Sequence, residues 1–148
     1  MANEETRIIK ENTKYINAMK RGKLIPSIKL PKYEFSKLSQ EVYLTRNTPV
    51  IAIKNLKDNF VNSERFTVKD INRDEQIITI YNKNRGCVDV PIANFQKNFH
   101  VAYAVTTHKS QGMTIKDHFT IHEWDKLNNT AKYVALSRGT CWEHVNLV

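Results

Sequence analysis

Ala102-Tyr103-Ala104-Val105-Thr106-Thr107-His108-Lys109-Ser110-Gln111-Gly112-Met113-Thr114, and further along Tyr133-Val134-Ala135-Leu136-Ser137-Arg138-Gly139-Thr140, are the stretches on which the reading of this chain turns. In the first, hydroxyls, an imidazole, an ammonium and an amide crowd into one turn that ends in glycine. Hydroxyls, Lys and backbone N–H groups at a helix start suit phosphate oxygens. The same residues also suit a polar helix terminus with Thr as its N-cap. The second stretch reads as a helix with Tyr133, Leu136 and Val134 turned inward and Arg138 at its end. An arginine held there by packed neighbours can meet a phosphate, or can simply complement the helix dipole.

The same segments set the surrounding architecture. HVAYAVTTHKSQG (100–112) reads as a strand running into a short helix, HFTIHEW (118–124) as a strand, AKYVALSR (131–138) as a helix and HVNLV (144–148) as a last strand. Alternating β and α elements predict a parallel sheet. Upstream, between Val42 and Phe95, the period changes. VYLT, VIAIK, RFTVKDI, QIITIY and CVDVPI are short β-prone runs separated by polar turns, the pattern of a small antiparallel barrel. RFTVKDI and QIITIY read as a hairpin. Glu5 to Met19 has helical periodicity that stops near Gly22, and residues 23–41, with Pro26 and Pro31, read as an extended connector.

Composition limits the function classes. The 148 residues carry a net charge of +8, with 23 Lys and Arg against 15 Asp and Glu, which favours a polyanionic partner such as nucleic acid. The excess is steepest in residues 1–40, with nine basic against four acidic side chains. No run is long and apolar enough to span a membrane, and MANEETRIIKEN lacks an apolar leader core, so an intracellular setting without a targeting signal is expected. Cys87 and Cys141, the two cysteines, are expected as reduced thiols. His118 and His122 lie four apart in a strand-like stretch with no further ligand at metal spacing, so no metal site is expected. Trp124 and Trp142 are expected in the core or facing a partner. Core packing is also expected of Phe66 and Tyr81, ahead of stacking on bases.

Together, AYAVTTHKSQGMT and YVALSRGT resemble superfamily 1 helicases of the subgroup that moves 5′ to 3′ on DNA. Those enzymes carry A-x-T-x-H-K-S-Q-G-x-T as motif V and Y-V-A-L-S-R as motif VI. More weakly, VYLTRNTPVIAIKNLKDNFVNSERFTVKDI resembles the subgroup's segment before motif V, with Asn47 and Ser63 standing where glycine is common. TRIIKENTKYIN is similar to the helix after motif IV, with Asn17 at the familiar asparagine.

The resemblance implies an α/β fold: part of a RecA-like (P-loop NTPase-like) parallel-sheet domain with an inserted small SH3-like antiparallel β-barrel. Residues 1–41 would be the start of the second motor domain, 42–97 the barrel, and 98–148 the rest of the motor domain with motifs V and VI. It implies ATP with Mg²⁺ bound between this part and an N-terminal motor domain, and single-stranded DNA as the track. Arg138 would be the catalytic arginine finger on the γ-phosphate, Gln111 and Gly112 would bind ATP alongside it, and Thr107, His108 and Lys109 would bind the nucleic acid. Thr114 would support the loop. The 148 residues contain no G-x-x-x-x-G-K-[ST] phosphate loop and no acidic Walker B strand, so a fragment without the first motor domain is expected, inactive alone. The competing readings are a stand-alone basic single-strand-binding or partner-docking module without ATPase activity, and a piece of a viral RNA helicase. The H-K-S-Q-G string argues against the last.

Overall fold

A computed structural model of the chain describes residues 9–10, 12–14, 17, 27–36, 39–56 and 60–148. They fall into two compact units, residues 1–103 and 104–148.

In the first unit, residues 9, 10, 12–14 and 17 are helical, and the remainder of the helix expected over 5–19 lies outside the described residues. Asn12 ties this helix to the start of the extended segment at residues 41–45. Its Nδ2 donates to the Glu41 carbonyl (3.0 Å), and its Oδ1 accepts from the Tyr43 N–H (3.1 Å).

Strand β1, Ser27–Leu30, pairs antiparallel with β2, Val42–Thr45, in a two-stranded sheet. The stretch expected as a connector therefore holds a strand, and Pro31 closes it. The remaining expected strands are β3 (Pro49–Ala52), β4 (Arg65–Asn72), β5 (Ile77–Asn82) and β6 (Gly86–Pro91). They join β7 (Phe99–Val101) in a five-stranded antiparallel sheet of order β6-β5-β4-β3-β7. Helix α1, Ile92–Asn98, connects β6 to β7. β7 lies beyond the expected segment boundary at 97, and it pairs with β3 because Phe99 and Val101 supply apolar side chains to the same core.

The expected hairpin is β4–β5. Its turn is built by Asn72, whose Oδ1 accepts from the N–H groups of Asp74 and Glu75 (both 3.1 Å). A bulge between Val68 and Asp70 keeps Val68 and Ile71 on the buried face despite the extra residue. Phe66, Val68, Ile78, Ile80 and Val90 alternate inward with Val50, Phe95 and Phe99. Phe99 is the hub: its ring centroid lies 4.6 Å from Phe60, 5.2 Å from Phe95 and 5.9 Å from Phe66. Each such ring pair contributes about 0.5–1.5 kcal/mol beyond its buried area.

Asn47 and Ser63 adopt φ values of 68° and 69°. This is the left-handed region where glycine is at home. The two departures from the helicase pattern thus fall on backbone that retains the glycine conformation. Each is held by a backbone bond, Asn47 N–H to the Val68 carbonyl (2.8 Å) and Ser63 N–H to the Ala52 carbonyl (2.8 Å).

Two polar clamps brace this unit. Ser39, almost fully buried, accepts from the Tyr33 N–H (2.9 Å) and donates to Gln96 Oε1 (3.2 Å), while Gln96 Nε2 donates to the carbonyls of Pro31 and Gln40. Glu64 accepts from Arg85 Nε (2.9 Å), Asn82 Nδ2 (2.8 Å) and the Val61 N–H (3.0 Å).

In the second unit, β8 (Phe119–Ile121) and β9 (Val145–Leu147) form a parallel pair, and helix α2 (Asn129–Leu136) lies between them in sequence. Asn128 caps α2 by accepting from the Ala131 N–H at 2.8 Å. A parallel bridge joins Ile115 to Gly139. A side chain at Gly139 would sit 3.0 Å from the Phe119 ring, so glycine is what lets this strand end approach β8 closely.

Candidate nucleotide and nucleic-acid site

The second unit gathers the two stretches of sequence in one place. His108–Ser110 form a single 3₁₀ turn. Thr106 starts it, its hydroxyl accepting from the Lys109 N–H at 3.3 Å. Ser110 is buried and donates to the Thr107 carbonyl (2.6 Å), which locks the turn from inside. Ser110 is accordingly a structural residue, while His108 and Lys109 stand exposed and Thr107 half-buried. The chain leaves the turn through Gly112 at φ 79°, a position with open space around a would-be Cβ, so its requirement for glycine is conformational. Gln111, Gly112 and Thr114 are exposed.

Past Thr114 the loop is zipped to the end of α2. The Ile115 N–H donates to the Arg138 carbonyl (2.7 Å), and the Thr140 N–H donates to the Ile115 carbonyl (3.2 Å). Arg138 adds a side-chain tie. Its Nε donates to the Val134 carbonyl (3.1 Å), Nη1 to the Met113 carbonyl (3.3 Å) and Nη2 to Ser137 Oγ (2.9 Å). All three acceptors are neutral oxygens, and no carboxylate pairs with Arg138 among the described residues. A guanidinium has five N–H donors, so two remain for a ligand. The positive charge is held in place and uncompensated, which is the condition for binding an anion.

The expectation for Tyr133 changes. Tyr133 is 74% exposed, and Ala135 is the buried residue of α2. Positions two apart on a helix point about 200° apart, so burying Ala135 turns Tyr133 outward. Trp142 is 65% exposed and Trp124 half-buried, with Lys132 Nζ 5.0 Å from the Trp124 ring centre. On the antiparallel sheet, Phe66 is in the core as expected, whereas Tyr81 is exposed beside Lys69. The His118 and His144 rings meet at a tilt of 48°, centroids 4.5 Å apart, and among the described residues no third metal-ligating side chain joins them. Cys87 and Cys141 are free thiols. No helix among the described residues is long and apolar enough to cross a membrane.

Motif reading alone missed Ser137, the Val134 carbonyl and the Met113 carbonyl as the groups that hold Arg138. The adjacency of a hydroxyl residue to the arginine at a helix end was the available signal for Ser137. The carbonyl of Met113 lies 25 residues away in sequence and left none.

No family model matches the chain, and no curated protein matches it. Solved structures do. Pif1 helicases shown unwinding forked double-stranded DNA match with a TM-score of 0.59 and 23% identity over 93% of this chain and 37% of theirs. Pif1 helicase from Bacteroides, in complex with ADP-AlF3 and single-stranded DNA, matches at 0.58 and 21% over 93% of this chain and 38% of its own. Pif1 helicase from Candida albicans matches at 0.58 and 15% over 97% and 43%. The chain thus spans about two-fifths of the length of the helicases it matches, and at these identities the likeness is one of fold. The fold of this chain is similar to that of about two-fifths of these Pif1 helicases.

Proposed function

We propose that the chain is the C-terminal part of an ATP-dependent 5′-to-3′ DNA helicase, comprising a second RecA-like motor domain interrupted by an SH3-like barrel. The β8–β9 parallel pair with α2 belongs to the RecA-like part, and the antiparallel strands from β2 onward to the barrel. The observation that carries the reading is the bond from Arg138 to the Met113 carbonyl. It joins the end of the motif VI helix to the motif V loop and leaves two guanidinium donors unused. In this reading Arg138 meets the γ-phosphate of ATP, Gln111 and Gly112 line the same nucleotide edge, and Thr107, His108 and Lys109 meet the DNA backbone.

The Bacteroides neighbour, held with ADP-AlF3 and single-stranded DNA, supports both ligand classes. The residues fit a phosphate: a charged fork with free donors is what a transferring phosphoryl group requires. They do not supply the rest of the catalytic set. In P-loop ATPases a Walker A lysine and backbone cradle the β- and γ-phosphates, and Mg²⁺ is held by the P-loop hydroxyl and a Walker B acid. Neither motif occurs in these 148 residues. The isolated chain is therefore expected to show no ATP hydrolysis with single-stranded DNA present, measured as phosphate release. DNA-stimulated turnover that co-purifies with the chain would overturn the reading.

A further inference from the structure

We propose that Ser137 is a positioning residue for Arg138, fixing the plane of its guanidinium so that the unused donors face a phosphate. The inference rests on the reading of Arg138 as the phosphate-contacting arginine. Ser137 Oγ donates to the Val134 carbonyl at 3.0 Å, which commits its single proton. Its lone pairs are left for Arg138, whose Nη2 donates to it at 2.9 Å. The same Val134 carbonyl takes Arg138 Nε at 3.1 Å. The fork is thereby pinned at two neighbouring nitrogens by two acceptors from one helical turn, which fixes its plane relative to α2. The third bond, to the Met113 carbonyl, is the longest at 3.3 Å and belongs to a loop. Without the Ser137 hydroxyl, the guanidinium pivots between Val134 and that loop, and the direction of its free donors is lost.

Ser137 itself is exposed at the C-cap of α2, and its N–H bond to the Tyr133 carbonyl (2.9 Å) is backbone. Alanine there keeps the helix end, so a loss of function on substitution reports the hydroxyl.

Two measurements test this. In the 148-residue chain, the Arg138 Nη2–H that donates to Ser137 Oγ should exchange slowly in a ¹H–¹⁵N spectrum. Ser137→Ala should speed its exchange about tenfold, the scale of one lost hydrogen bond to a charged group, and Ser137→Thr should restore it. In the complete helicase, Ser137→Ala should lower kcat for ATP hydrolysis by about the same factor, leave the KM for ATP within about twofold, and be rescued by Ser137→Thr. Arg138→Ala run alongside separates the two ideas. If Arg138→Ala abolishes turnover while Ser137→Ala matches wild type in both assays, the positioning role is wrong and the proposed function stands. A Ser137→Thr variant as slow as Ser137→Ala would also overturn it, because the hydroxyl would then not be the active group. If Arg138→Ala turns over normally, the proposed function and this inference fall together.

Discussion

On the proposed function, replacing Arg138 in the complete enzyme separates a structural arginine from a catalytic one, because the two roles predict losses of different size. Arg138→Ala deletes three internal hydrogen bonds, to Val134, Met113 and Ser137. Such bonds contribute about 0.5–1.5 kcal/mol each, and this side chain is only half-buried, so the structural cost is about 1–3 kcal/mol and falls on stability. If the same guanidinium stabilises charge on a transferring phosphoryl group, turnover falls by about 10³-fold or more, which is at least ~4 kcal/mol at the barrier. The variant should then remain folded, bind single-stranded DNA within about twofold of wild type, and lose almost all DNA-stimulated ATPase. Arg138→Lys should recover less than about a tenth of it, since an ammonium presents donors from a single nitrogen and cannot hold Val134 and Met113 while meeting an oxyanion. Steady-state phosphate release at saturating DNA, with a thermal melt of each variant, is the assay. An Arg138→Ala enzyme that keeps more than about a tenth of wild-type turnover would place Arg138 among ordinary helix-terminal arginines.

Three further outcomes follow from the same geometry. The isolated chain should bind single-stranded DNA weakly and without sequence preference, with a slope of log affinity against log salt of roughly 2 for about three phosphate contacts; the double replacement of His108 and Lys109 by Ala should weaken binding to every sequence alike and reduce that slope by about 0.7, and unchanged anisotropy titrations would move the DNA site off this turn. Ser63→Gly should stabilise the first unit by about 0.5–1 kcal/mol, because glycine removes the cost of a left-handed serine and returns part of it as unfolded-state entropy; a lower urea midpoint would refute the strain argument. Burial tends to raise the Glu64 carboxyl, but the hydrogen bonds from Arg85, the Val61 N–H and Asn82, with the Arg85 charge, outweigh it and hold the group below its ordinary value of 4.5. Its contribution to stability is therefore complete above that value and lost as pH falls through the lowered folded one, so the gap in unfolding midpoint between wild type and Glu64→Gln should be widest near neutral pH and close in acid; a gap independent of pH would refute the clamp.

How much could be read in advance depended on how locally each feature is encoded. The strands from Val42 to Pro91 were legible because their apolar residues alternate over four to eight positions and polar turns bound them. Strand β1 was not, since Ser27–Leu30 offers only Ile28 and Leu30 as apolar positions between two prolines and becomes a strand by pairing with β2. Helix α1 is seven residues long and begins directly after Pro91 without a side-chain cap, so it carries no start signal beyond the proline itself. The pairing of β7 with β3 joins Val101 to Val50, a register fixed by a shared apolar core that no local pattern records. Tyr133 was misplaced for a related reason: Ala135 is too small to stand out in a sequence, yet its burial decides which side of α2 faces in.

The candidate site divides along the same line. Its side chains are local strings, and polar residues concentrated in one turn before glycine stand out in any sequence. What makes them a site is not local. Gly112 needs its φ of 79° to turn the loop back, Ile115 must pair with the strand end at Gly139, and Gly139 must lack a side chain to pass the Phe119 ring. With these features in place, the Met113 carbonyl lies 3.3 Å from Arg138 Nη1. A bond of that kind gives the two motifs a mechanical connection: displacement of the 111–114 loop shifts an acceptor of the arginine, and withdrawal of the arginine releases the loop. In the proposed motor, where the 107–114 stretch carries both the DNA contacts and the nucleotide-edge residues Gln111 and Gly112, the one Arg138 donor that reaches the Met113 carbonyl is the link through which one ligand would be felt by the other.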